Sequence, residues 1–136
     1  MVGHSMGGLV LRLASNLINH KELLYAYLSL GTPHLGYLQG LKLHIRAGLS
    51  LFSSVYSNPC LNELSGKDSP DHHSASIYKM SLSGSLGNFK KVIFVSSRKD
   101  KYVSWHSARV ENYSKDHLKQ YTFIEDEMVK NILGGG

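Results

Sequence analysis

The sequence predicts an α/β fold built on a parallel sheet with flanking helices. Two short apolar runs, "LYAYLSL" over 24–30 and "VIFVS" over 92–96, are typical of strands that are buried on both faces. A third observation is the helical spacing of apolar residues over 9–18, ahead of the first strand. Strands that alternate with helices favour a parallel sheet, because each crossover connection returns to the same end of the sheet.

The helix over 9–18 has its apolar side chains at positions 9, 10, 13, 14, 17 and 18, which form one stripe. The Leu-rich stretch over 35–56 is expected to contain helix, and the polar stretch over 57–74 is expected to be loop. Four polar residues of the first helical region lie off its apolar stripe and are not expected to be buried: Arg12, Ser15, Asn16 and Asn19.

The second half of the chain is predicted to be mainly helical around the strand over 92–96. A helix is expected over 75–82, before that strand, and another over 104–118, after it. Apolar residues then continue at helical spacing as far as Leu133, with a strand over 121–124 as the alternative. The terminal "GGG" is expected to be a flexible tail.

The composition fits one globular domain of 136 residues, of which 42% are hydrophobic. No run of about 18 apolar residues is present, so no membrane span is expected. The net charge of +5 comes from scattered basic residues, so nucleic acid is not an expected partner. One cysteine, Cys60, excludes an intrachain disulfide, and together with the lack of a signal-peptide pattern it favours a cytoplasmic location. The oligomeric state is not indicated.

The pattern G-x-S-x-G occurs at Gly3-His4-Ser5-Met6-Gly7, immediately before the first predicted helix. It is typical of a nucleophile elbow, in which a serine occupies a strained turn between a strand and a helix. Glycines two residues before and after the serine let the two elements approach closely, and the Met6 N–H is expected to be one oxyanion donor. The alternative is a glycine-rich helix start with a capping serine. His4 is expected to pack against the sheet.

A nucleophilic serine needs a base, and the base needs a carboxylate that orients it. Asp100 comes shortly after the second predicted strand, at the C-terminal edge of the sheet, where such sites are built. The alternative is an ordinary loop aspartate among basic neighbours. His106 and His117 are the only histidines after Asp100, and neither follows a further strand. We therefore expect the base to be absent, with His106 and His117 as surrogates.

The adjacent pair His72-His73 is the remaining feature with potential chemistry. It lies in a polar stretch, and no cysteine pair accompanies it. Neighbouring histidines do not share one face of a helix, so solvated loop residues are expected here rather than metal ligands. No cofactor and no metal ion is expected elsewhere in the sequence.

Four stretches follow one another nearly from end to end: "VGHSMGGLVLR", "YLSLGTPHLG", "FKKVIFVSSRKDKYVSWHSARVE" and, more weakly, "EMVKNIL". They resemble the "putative serine esterase" family, a lipase-like branch of the α/β-hydrolases found at the C-terminus of some large eukaryotic proteins. The resemblance implies Ser5 as nucleophile and Asp100 as its acid. It also implies an ester or lipid substrate, contact with a lipid surface, and a lid-like insertion over 35–75.

Members of that family have several strands before the elbow, and a last strand with the catalytic histidine after the region that matches "EMVKNIL". The sequence therefore resembles an incomplete α/β-hydrolase domain, with the upstream strands and the last strand missing. The strand over 24–30 is then expected to expose apolar surface and unpaired backbone. The isolated chain is expected to be marginally stable or to aggregate.

Two functions are open from the sequence. The first is a serine carboxylester hydrolase of the lipase or esterase type, in which Ser5 is the nucleophile and Asp100 the acid. The second is a catalytically inactive remnant or interaction module that keeps the appearance of a hydrolase. The absence of a clear base favours the second function, and the elbow pattern favours the first.

Overall fold

The computed structural model describes residues 1–37, 59–83, 85–111 and 119–133. Three strands form one sheet: β1 (Val2–His4), β2 (Ala26–Leu30) and β3 (Lys91–Val95). The strands are parallel and lie in the order β1-β2-β3. The predicted α/β class with a parallel sheet is therefore confirmed.

Five α-helices flank the sheet within the described ranges, and short 3₁₀ turns connect several of them. The helix that follows β1 directly has nine residues, and the last helix has fifteen. The helices are α1 (Met6–Ala14), α2 (Pro59–Leu64), α3 (Ser76–Ser81), α4 (Trp105–Arg109) and α5 (Lys119–Leu133).

Strand β2 is the centre of the sheet, which corrects the expectation that it would be left unpaired. The first residues of the chain form β1, and Val2 to His4 pair with Leu28 to Leu30. Because β2 pairs with β3 on its other side, Tyr27 is completely buried. The expected exposure of apolar surface is found in part: Tyr25, just before β2, is 56% exposed, and on the outer strands Val2 is 63% and Ile93 is 49% exposed.

Helix α1 buries a different face from the one that its apolar spacing predicts. Arg12 and Ser15 are buried, whereas Val10 is 62% exposed and Leu17, just beyond the helix, is 83% exposed. The expectation that Arg12 and Ser15 lie off the buried face was wrong. Both have polar partners inside the protein, and the Ser15 hydroxyl donates to the Arg12 carbonyl at 2.7 Å. Hydrogen bonding therefore lets a polar face pack against the sheet.

Some of the other predicted helices and loops are confirmed, and others are wrong. Helices α3 and α5 confirm the helices expected there, and α5 makes the strand alternative over 121–124 wrong. The expected loop over 57–74 contains α2 and a 3₁₀ turn. Helix α4 is shorter than expected, because Val110 ends it in the left-handed conformation at φ 56°. Residues 38–58, 112–118 and the glycine tail lie outside the described residues.

The core lies between the helices and one face of the sheet, the face that carries Tyr27, Ser29 and Phe94. Residues of the other face, such as Val2 and Ile93, are exposed. The Tyr27 ring of β2 packs against the Phe89 ring at 5.3 Å between centroids. Helix α5 contributes three buried side chains spaced along one face, namely Ile124, Met128 and Ile132. Within the described ranges, none of the helices has the length and apolar character needed to cross a bilayer.

We expect the isolated 136-residue chain to self-associate, because Val10 and Leu17 are exposed apolar side chains and β1 is an edge strand of the described sheet. Sedimentation velocity should show association that weakens in the double variant Val10→Glu, Leu17→Glu. A change of the exposed Glu63 to Gln is the control and should leave association unchanged. A monomeric wild-type chain with a sharp cooperative urea transition would contradict the expectation.

Candidate active site

Ser5 lies in the one-residue turn between β1 and α1. Its backbone has φ 53° and ψ −133°, a conformation that residues with a side chain rarely adopt and that costs about 1–3 kcal/mol. The Ser5 N–H donates to the Leu30 carbonyl at 2.9 Å, and the Ser5 carbonyl accepts from the Gly8 N–H at 3.1 Å. The hydrogen bonds to Leu30 and Gly8 therefore fix the turn. Ser5 itself remains partly exposed.

Two glycines allow α1 to lie directly against the sheet. A Cβ on Gly3 would come within 2.5 Å of the Gly8 Cα, and a Cβ on Gly8 would overlap the Thr32 side chain. A Cβ on Gly7 would meet nothing within 4 Å. The expected role of the glycine two residues after the serine is therefore wrong for Gly7, and Gly8 has that role because it faces the sheet.

Met6 is the first residue of α1, so its N–H lacks a carbonyl partner within the helix. The positive end of the helix dipole adds to the attraction of this N–H group for an anion. The neighbouring His4 is exposed. The expectation that His4 packs against the sheet was wrong, because its side chain points away from the face on which α1 lies.

Asp100 is in the loop after β3. Its Oδ1 accepts from the backbone N–H groups of Tyr102, at 2.8 Å, and Val103, at 3.1 Å. Its Oδ2 lies 3.3 Å from where a Cβ on Gly31 would be, so the carboxylate borders the residue that follows β2. The carboxylate is thus held by its own loop and placed beside the end of the central strand.

The three strands end at the same level, and this brings Ser5 and Asp100 to one edge of the sheet. His4 pairs with Leu30, and Leu30 pairs with Val95. Ser5 follows the first of these strands and Asp100 follows the third, with β2 between them. Two inter-strand spacings, roughly 10 Å, separate the axes of the outer strands.

The stretch "GTPHLG", which follows the central strand, is hydrogen-bonded to the helix that follows the Asp100 loop. The Leu35 N–H donates to the Ser107 hydroxyl at 3.0 Å, and that hydroxyl donates to the Gly36 carbonyl at 2.8 Å. Ser107 belongs to α4, the helix that follows the Asp100 loop. One buried hydroxyl therefore joins the loop after β2 to the segment after β3.

His106, one of the two surrogate bases, lies on α4 against the Trp105 ring, at 3.5 Å between centroids. Burial lowers its pKa; Glu111 acts in the opposite direction, and Arg98 and Arg109 lower the pKa further. These charges belong to the end of α4 and to the loop after β3, where Arg98 lies two residues before Asp100. The other surrogate, His117, lies outside the described residues.

A buried polar network beneath the Ser5 turn was not predicted from the sequence. Arg12 donates from Nη1 to His34 Nδ1 at 3.2 Å and from Nη2 to the Met80 carbonyl at 2.9 Å. Since a guanidinium only donates, His34 Nδ1 accepts and its Nε2–H donates to the Ser29 hydroxyl at 2.9 Å. Burial and the Arg12 charge lower the pKa of His34 to about 3, so His34 is neutral and both ring nitrogens are occupied.

The network had a signal in the sequence that helical periodicity concealed. Arg12 lies in "VGHSMGGLVLR" and His34 in "YLSLGTPHLG", two of the stretches that carry the family resemblance. The apolar spacing predicts that Arg12 faces solvent. That prediction rests on side-chain polarity alone and takes no account of hydrogen-bond partners inside the protein. A paired reading of the two stretches would have found both residues.

Comparison with protein families agrees with this geometry. The family model described as Putative serine esterase (DUF676) matches residues 1–116. The chain belongs to this serine esterase family. The match covers β1 through α4, including Ser5, Asp100 and the Arg12–His34 pair, and the three-stranded sheet of this family member is consistent with part of an α/β-hydrolase. A comparison with solved structures gave no match.

The two glycines after Ser5 provide a matched pair of variants. Gly8→Ala places a methyl group against Thr32 and should destabilise the protein by about 1–3 kcal/mol. Gly7→Ala enters open space within a helix and should leave stability unchanged or raise it by up to about 1 kcal/mol. Urea unfolding measures both, and equal losses in the two variants would contradict the close approach at Gly8.

His34 should make the protein acid-sensitive. Its folded pKa of about 3 is below the usual 6.5, so the unfolded chain binds the extra proton, and the stabilisation present above pH 6.5 is lost as the pH falls. Between pH 7.5 and pH 5 this amounts to about 2 kcal/mol of unfolding free energy. His34→Gln should remove that slope in urea titrations, while His20→Gln, at an exposed position, should keep it. An unchanged slope in His34→Gln would contradict this assignment.

Proposed function

We propose that the chain hydrolyses carboxylic esters with Ser5 as nucleophile. The observation that carries this proposal is the strained backbone of Ser5, held at the end of β1 and directly before α1. Strain of this kind persists where the surrounding structure imposes it, and it is frequent at reactive residues. Membership of a serine esterase family supports an ester as the substrate class.

The proposed reaction proceeds in two steps. A base takes the Ser5 hydroxyl proton while Oγ bonds to the acyl carbon, and the carbonyl oxygen becomes an oxyanion to which the Met6 N–H donates. The carbon–oxygen bond to the alcohol then breaks, and the alcohol leaves with the proton. Water attacks the acyl-enzyme in the same way, which releases the acid and restores Ser5.

Asp100 is proposed to orient the base. Its Oδ1 is occupied by two N–H groups of its own loop, and Oδ2 lies toward Gly31, at the end of the central strand. A histidine placed over the end of β2 would therefore reach both Oδ2 and Ser5. The base is one of the two surrogates, His106 on α4 or His117, which falls outside the described residues, or it is absent from this chain.

A lid over 35–75 remains part of the proposal, and two contacts support it. The Tyr37 N–H donates to the Leu64 carbonyl at 2.8 Å, so the two sides of the insertion meet at its base. The Cys60 thiol lies 3.6 Å from the Met6 sulfur, so the returning side contacts the residue next to Ser5. A segment anchored at these points is suited to cover an apolar acyl chain.

The second function, a non-catalytic module, is favoured by one observation. Within the described residues, Asp100 Oδ1 accepts from two backbone N–H groups of its own loop, so this oxygen is already occupied. A serine without a base would have lost most of its rate enhancement. Such a chain would bind ligands or partners through the same edge of the sheet without hydrolysing them.

A fluorophosphonate probe with and without added imidazole separates these functions. If the base is absent, imidazole should restore labelling of the folded wild-type chain by at least tenfold, because it supplies the missing proton acceptor. Ser5→Ala should abolish labelling, and Ser74→Ala, at an exposed serine, should keep it. Labelling without imidazole that is lost in His117→Gln would assign the base to His117.

The result that contradicts the esterase proposal is equally definite. A folded wild-type chain, checked by circular dichroism, that fails to label even at high imidazole would leave the non-catalytic module as the function. Labelling that persists in Ser5→Ala would show that another nucleophile reacts and would remove Ser5 from the mechanism.

A further inference from the structure

The Ser5 turn needs an external restraint, because its conformation is unfavourable on its own. The helix that follows has only nine residues, and its outward face is apolar and exposed, with Val10 62% exposed. Few contacts on that side can hold the helix in place. The contacts that hold α1 on the sheet lie on its inner face, where Leu9 packs in the core and the charged Arg12 is buried.

Two polar links attach that inner face, one helical turn apart. The Tyr27 hydroxyl of β2 donates to the Gly8 carbonyl at 2.7 Å. Arg12, four residues further along, donates to His34 and to the Met80 carbonyl on α3. Residues four apart share one face of a helix, so the two links fix both the position and the rotation of the first turns of α1.

The Arg12 link is difficult to release because it involves a buried charge. Arg12 is 1% exposed, and removing either of its two acceptors would leave part of a buried guanidinium without a hydrogen-bond partner. His34 is completely buried and supplies a neutral acceptor nitrogen, which the Ser29 hydroxyl keeps in that tautomer. The three residues form one unit that joins α1, β2 and the loop after β2.

We propose that Arg12 and His34 are positioning residues for Ser5, which hold the first turn of α1 so that the Ser5 turn and the Met6 N–H keep their geometry. The consequence for reactivity rests on the proposed esterase function. The consequence for the backbone does not, because the Ser5 N–H bond to Leu30 exists whether or not the serine reacts. The two consequences are therefore measured separately.

The backbone arm uses amide hydrogen exchange. The Ser5 N–H, bonded to Leu30, reports the turn, and the Gly31 N–H, bonded to the Val95 carbonyl, reports the sheet. In Arg12→Met the exchange rate of Ser5 relative to Gly31 should rise at least tenfold. Arg12→Lys keeps a cation and one donor and should give a smaller rise. Lys79→Met, at an exposed cation beside Met80, is the matched control and should leave the ratio unchanged.

The reactivity arm measures the rate of fluorophosphonate labelling in the presence of imidazole. Arg12→Met should lower this rate at least tenfold at an unchanged circular dichroism spectrum, and Arg12→Lys should recover part of it. A general loss of structure would instead change the spectrum and accelerate Gly31 exchange as well. If Arg12→Met does not fold, His34→Gln, which keeps an acceptor for Arg12, and Arg12→Lys provide the same comparison.

The outcomes distinguish the two proposals. If the exchange ratio rises in Arg12→Met but the wild-type chain never labels, the esterase function is overturned and the positioning role stands. A wild-type chain that labels, together with an Arg12→Met variant that labels at the same rate and keeps the wild-type exchange ratio, would overturn the positioning role. An exchange ratio that rises equally in Lys79→Met would also overturn it.

Discussion

The hydrogen bond from the Ser5 N–H to the Leu30 carbonyl is the constraint on which the arrangement of this molecule depends. It continues the pairing of β1 with β2 by one group beyond the last residue of β1, and the Gly31 N–H does the same toward β3. The three strands consequently end at one level. Because parallel strands present their C-terminal ends together, Ser5 and the Asp100 loop share an edge although 95 positions separate them in the sequence.

The strands, and the positions of Ser5 and Asp100 after two of them, were predictable because their signals are local. A short apolar run bounded by glycine or polar residues indicates a buried strand, and Ser5 and Asp100 could be placed by their distance from such runs. The buried face of α1 was not predictable in this way. Arg12 is buried through partners 22 and 68 positions away, and no periodicity within a helix contains that information. For the same reason, the sequence pattern did not show that Gly8, and not Gly7, faces the sheet.

Burial of a guanidinium under a strained turn is an unusual way to hold a helix. A buried ion or ionic network is often no more stable than apolar residues of the same size, because desolvation offsets the gain. Burial accordingly lowers the pKa of Arg12 to about 10, which still leaves it charged at neutral pH. Directed hydrogen bonds provide what apolar packing lacks, namely one permitted orientation of α1 relative to β2.

The alternation of side chains along β2 adds a consequence for how the sheet assembles. Tyr27 and Ser29 are completely buried and lie two residues apart, so they point to the same face, toward α1 and His34. A slip of β2 by one residue would turn both hydroxyl groups to the opposite face. Leu28 and either Ala26 or Leu30 would then take their places, and the Gly8 carbonyl and the His34 ring would lose the hydroxyl groups to which they are bonded. In a sheet whose strands are mostly apolar, these two hydroxyl groups distinguish the native register from its neighbours.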